Sequence, residues 1–69
     1  MDYVCFKIRP IEKLQFDSTL IDICRDRNFS CHQKEYDYKS DHVIAEIPQY
    51  CIDKMTPEQV EQLNSFIIP

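Results

Sequence analysis

The 69-residue chain contains no glycine. Average usage near 7% would supply about five. Every glycine-dependent phosphate cradle is therefore excluded, the P-loop and the dinucleotide fingerprint included. Backbone positions that require positive φ must fall to Asn or Asp, the next most tolerant residue types. Asn28, Asp41 and Asn64 are the candidates.

Length sets the second bound. A chain of this size makes one domain, residues 1–69, and buries only about 60% of its unfolded surface. Domains of this size commonly gain stability from disulfides, a metal or a partner. Apolar residues make up 43% and charged residues 29%, a balance ordinary for a folded protein. The net charge is −4, and Lys and Arg are scattered singly. A clustered cationic footprint, which nucleic-acid binding needs, is missing. No apolar stretch reaches the length of a membrane span. The opening "MDYVCFKIRP" lacks the apolar core of a secretory leader. The expected compartment is the cytoplasm.

Periodicity predicts the elements. Residues 3–9, "YVCFKIR", alternate, with Val4, Phe6 and Ile8 on one side and Tyr3, Cys5, Lys7 and Arg9 on the other. That is a half-buried strand, ended by Pro10. "IEKLQFDST", residues 11–19, reads as a connection anchored by Ile11, Leu14 and Phe16. A helix is predicted over about 18–28, capped by Asp17 or Ser18. Its stripe is Leu20, Ile23 and Cys24 with Ile21 beside them, and its end is a left-handed Asn28. Phe29 to Tyr38 reads as a second strand. Its apolar phase changes along its length, which a bulge near Lys34 would reconcile. "KSD" at 39–41 has turn chemistry. "HVIAEI" is a third strand, ended by Pro48, and "QYCIDK" is a connection. Thr56, Pro57 and Gln59 form a capping box, with Met55 and Val60 as its hydrophobic staple. The helix that follows is predicted to run nearly to the C-terminus on a Val60, Leu63, Phe66, Ile67 stripe. The expected fold class is α+β: a two-layer sandwich in β-α-β-β-α order, with two helices on one face of a three-stranded sheet.

The chemically capable residues form no site pattern. Cys5, Cys24, Cys31 and Cys51 are separated by 19, 7 and 20 positions. Structural zinc sites present paired ligands on short turns, and no such pair exists here. The expectation is four reduced thiols serving as small apolar residues. Cys31 and His32 are adjacent, and adjacent strand residues point apart. Asp37 with Asp41, and Glu58 with Glu61, read as solvated charges, and His32 and His42 as exposed strand and turn residues. A chain this short is also expected to have little room for a pocket of several hundred Å³. No catalytic residue, cofactor or metal is therefore expected.

The uncovered side of the sheet is the more informative surface. It is expected to carry Tyr3, Cys5 and Ile44 and, from the second strand, either Tyr36 and Tyr38 with His32 or the Cys31, Gln33, Glu35 set. The tyrosine phase is taken as the partner surface, with Ile68 of the C-terminal "FIIP" meeting solvent or a partner. Tyrosine suits binding surfaces because it offers apolar area and a hydroxyl. The expected function is a small non-catalytic protein-binding module that regulates or inhibits a larger protein partner, of the kind phage and mobile elements encode. Self-association as a homodimer would enlarge the small core. The competing expectation is a nucleic-acid-associated regulator that stacks bases on the aromatic face, and the acidic balance weighs against it.

Overall fold

The computed structural model describes residues 2–38 and 41–69, without the side chains of residues 35–38. The turn expected at 39–41 lies largely outside the described residues. The chain is α+β. Strand β1 (Tyr3–Ile8) leads through a 3₁₀ turn (Pro10–Glu12) into helix α1 (Lys13–Arg27). Strands β2 (Lys34–Tyr38) and β3 (Val43–Pro48) follow, then a short helix α2 (Gln49–Asp53) and helix α3 (Pro57–Asn64).

Strand order is β1-β3-β2. β3 lies between the other two and pairs antiparallel with both. The alternation read in β1 fixes its faces. Phe6 and Ile8 are buried, as are Val43, Ala45 and Ile47 of β3. In cross-strand register Phe6 meets Ala45 and Ile8 meets Val43. Phe16, Leu20 and Ile23 of α1 and Leu63 of α3 close over these residues, with Met55 and Cys51 completing the core. Phe16 is the centre of an aromatic chain. Its ring lies 5.5 Å from Phe6 and, edge-on, 5.8 Å from Phe66.

α1 begins five residues earlier than its expected start at 18. Asp17 and Ser18 are interior helical residues, not caps. Pro10 opens the 3₁₀ turn with its φ already set, and that turn hands the chain on to the helix. Of the three expected anchors only Phe16 is buried; Ile11 is 89% and Leu14 81% exposed. The inward side runs Phe16, Leu20, Ile23 at spacings of four and three, which leaves Ile11, Leu14 and Ile21 pointing out. The helix ends as expected. Asn28 adopts φ 56° and ψ 53°, the single positive φ among the described residues. Its N–H, and that of Phe29, return to the carbonyls of the last turn. Lys13, a residue type normally at the surface, is buried, and its ammonium donates to Asp17 Oδ1 at 2.7 Å. Gln33 Nε2 donates to the same oxygen at 2.6 Å and so ties the segment before β2 to α1.

The remaining differences lie at element ends. β2 starts at Lys34 and not at Phe29, and its register shifts between Glu35 and Asp37, just beyond the expected bulge at Lys34. β1 stops at Ile8, and β3 includes Pro48 opposite Tyr3. The expected connection after Pro48 is helix α2. The capping box at Thr56 is present, with Gln59 N–H donating to Thr56 Oγ1 at 3.2 Å and Thr56 N–H to Gln59 Oε1 at 3.0 Å. α3, however, stops at Asn64, and Ile67 is not in the core. The outer edge of β1 offers unpaired backbone groups. The tail leaves the helix to reach them: Ile67 bridges Ile8, and Ile68 N–H donates to Lys7 O at 2.9 Å.

Phe16 touches β1 and the C-terminal segment at once, so truncating it opens the centre of the core. Phe16→Ala is expected to lower unfolding free energy by about 3–5 kcal/mol, most of the stability available to a domain of this size. Urea denaturation followed by circular dichroism measures it.

Candidate functional site

The uncovered side of the sheet is built by the alternation that buries the other side. Tyr3, Cys5 and Lys7 of β1 are exposed, and Ile44 and Glu46 of β3 are half-buried. The register arranges them in rows. Tyr3 lies opposite Pro48, Cys5 opposite Glu46, and Lys7 opposite Ile44, while Lys34 of β2 sits opposite Glu46 on its other side. The face is thus apolar at two corners, with Tyr3 40% exposed and Ile44 half-buried. Lys34 and Glu46 form a charged row that ends at Cys5, and Lys7 lies in the next row beside Ile44. The Cys5 thiol donates to Glu46 Oε1 at 3.6 Å. Desolvation at the sulfur, then the Glu46 carboxylate, push this thiol above its usual value, away from the thiolate a nucleophile needs.

Tyr3 and Ile44 share this face but lie at opposite ends of it: Tyr3 pairs with Pro48 and Ile44 with Lys7, four strand positions apart in the β1–β3 register. The orientation expected of Tyr36 and Tyr38 lies outside the described residues. Ile68 is half-buried and belongs to the tail on the edge of β1. It borders the face and does not form part of it.

The remaining thiols collect elsewhere. Cys51 is fully buried in α2, and Cys24 and Cys31 pack partly buried against the core. All four cysteines are free. Burial, followed by the neighbouring Cys51 and Cys24 thiols, pushes Cys31 far above its usual range. Burial also raises Cys24, aided by Cys51 and partly offset by Cys31. Among the described residues no three His, Cys, Asp or Glu side chains are grouped so as to hold a metal ion.

A groove of about 540 Å³ opens between the C-terminal half of α1 and the segment before β2. The expectation that so short a chain leaves no such space is corrected by it. The groove exists because residues 29–33 run outside the sheet and arch back over Cys24. Cys31, half-buried, and His32, exposed, both border it, in a non-repetitive stretch where the strict alternation expected of a strand does not apply.

His42, at the start of β3, is less exposed than expected of a turn residue. Its Nδ1 lies 2.9 Å from Asp41 Oδ1, with 18% of the His42 side chain and 83% of the Asp41 side chain exposed. The hydrogen bond with His42, then one within Asp41's own backbone, lowers the Asp41 carboxyl below its usual value.

One surface feature was missed by the reading of anchors and stripes. Ile11 of the 3₁₀ turn and Leu14 and Ile21 of α1 form an outward row, with exposed Ser18 and Arg25 between and after them. The alternating three and four spacing of positions 11, 14, 18, 21 and 25 would have revealed it. No family model, curated protein or solved structure matches the chain.

Two measurements check these environments. In the native state Cys5 is expected to react with a thiol reagent first, Cys24 and Cys31 slowly, and Cys51 only on denaturation; mass spectrometry of a labelling time course reads the order. Asp41 is expected to titrate below the usual carboxylate value near 3.9. Its contact contributes at neutral pH and is lost as pH falls through the lowered value. Carbonyl-detected NMR follows it, and His42→Ala should return the midpoint upward.

Proposed function

We propose that this chain is a small non-catalytic protein-binding module of the cytoplasm that regulates or inhibits a larger protein by covering one of its surfaces. We read it as a two-layer unit: a three-stranded sheet forms one layer and the helices the other. The sheet's second face is then the working surface. The observation that supports this most directly is the asymmetry of the sheet. One face is sealed by α1 and α3. On the other, Tyr3 and Ile44 stand beside a short row of charges, and no helix of the described residues packs over them. Apolar corners interleaved with charges fit a non-obligate protein interface, which is about as apolar as the rest of a protein surface. The raised thiols of Cys5 and Cys31 agree with a role that is not nucleophilic. Ile68 stands at the border of the proposed surface.

The test is a pair of substitutions on the open face. Tyr3→Ala with Ile44→Asp is expected to leave the circular dichroism spectrum and melting cooperativity unchanged. The same pair should abolish capture of the partner that wild-type protein recovers from its natural lysate. Capture that survives the substitutions removes this face as the site.

A further inference from the structure

We propose that two copies of this chain associate through the outer side of α1, antiparallel and two-fold symmetric, leaving both open sheet faces pointing outward. The inference uses the side of the molecule opposite the sheet face and is independent of the function proposed for that face.

The observations begin with the burial pattern of the helix. α1 buries Phe16, Leu20 and Ile23. Its outward side carries Leu14 at 81% and Ile21 at 51% exposure, continued by Ile11 at 89% on the 3₁₀ turn that leads into it. With Ser18 and Arg25 they occupy positions 11, 14, 18, 21 and 25. Steps of three and four alternate without a break, the spacing of a two-helix seam. An isolated helix ridge has no free backbone groups, so it invites another helix and not an added strand.

Sequence within the row selects the occupant and its direction. A parallel pair would set Arg25 against Arg25 at a seam position, a like-charge contact. An antiparallel pair registered on the middle of the row sets Ile11 against Ile21 of the second copy, and Leu14 against its Ser18. Each contact recurs by symmetry, as an isologous interface requires. Arg25 then lies beyond the seam in solvent. Ser18 removes bulk where the two Leu14 side chains need room, and the opposed helix dipoles favour the same direction. The row is thus self-complementary, its two ends matching each other in character.

Its size sets the strength. From residue 11 to residue 21 the helix advances about 15 Å at 1.5 Å per residue. A seam this short buries less than the roughly 1,200 Å² of a standard interface. The dimer is therefore weak and reversible, forming at roughly micromolar concentration. It presents two sheet faces on opposite sides, so a partner with two matching surfaces would be held by both.

Sedimentation equilibrium over a wide concentration range tests the association. Wild-type protein is expected to pass from monomer to dimer in the micromolar range, and Leu14→Asp to raise the dissociation constant at least tenfold. Leu14 is so exposed that the variant folds, which its circular dichroism verifies. A wild-type chain that stays monomeric to millimolar concentration overturns the proposal, as does a Leu14→Asp variant that still dimerises equally well. A photo-crosslinking amino acid in place of Ile11, in a mixture of light and isotope-labelled copies, tests direction. Adducts between copies should map near Ile21. Adducts near residue 11 of the second copy overturn the antiparallel arrangement. Loss of dimerisation with partner capture intact, or the reverse, separates this proposal from the function of the sheet face.

Discussion

Phe16 holds the molecule together. Its ring meets Phe6 from β1 on one side and Phe66 from the C-terminal segment on the other. Three parts of the chain, far apart in sequence, therefore share one desolvated centre. Aromatic side chains bury more area than any aliphatic one, and tilted or edge-on ring pairs add to that burial. A domain of this length has few such contacts available. Because Phe16 must point at the sheet, the rotation of α1 about its own axis is decided. Leu20 and Ile23 follow it inward, and Ile11, Leu14 and Ile21 are turned out.

The charged residues follow from that rotation. Lys13 lies on the inward side one turn before Phe16 and is buried with it. A buried ammonium needs a partner, and Asp17 on the next turn supplies a carboxylate at 2.7 Å. Gln33 extends the contact to the segment leading into β2. At the other end of α1, Gln59 Nε2 donates to Asp26 at 2.7 Å and Arg27 Nε donates to the carbonyl of Lys54 at 3.0 Å. These exposed bonds add little energy singly, but they set α3 and the turn before it against the helix. Sheet edges are handled unequally. The tail at Ile67 and Ile68 occupies the outer edge of β1, whereas β2 pairs only with β3 among the described residues.

Local chemistry made several features legible. Strict alternation in β1 and β3 identified their buried faces, since successive side chains point to opposite sides. The capping box at Thr56 needed only side chains three positions apart. Asn28 could be named as the left-handed residue because glycine, the usual occupant, is absent and Asn tolerates that conformation best. The start of α1 was not legible. Ile11, Leu14 and Phe16 are all apolar, and nothing local tells an anchor from an exposed residue. Helix α2 was hidden for the same reason, as its five residues carry no period long enough to read. The candidate surface divides similarly. Tyr3 and Ile44 lie on the side that strand parity predicts, whereas the seat of Ile68 was not legible, because it depends on an edge that exists only once the sheet has formed.

By itself, then, the sequence determined the α+β class, the inward sides of β1 and β3, the cap of the last helix and the left-handed end of α1. Each depends on side chains within a few positions of one another, where backbone sterics and period suffice. Tertiary structure alone decided how far α1 extends, which apolar residues it leaves exposed, and where the last helix gives way to an edge-pairing tail. It also decided that residues 29–33 leave the sheet and roof a groove. These outcomes turn on competition between distant groups for one small core and for unpaired backbone, and such competition has no local signature.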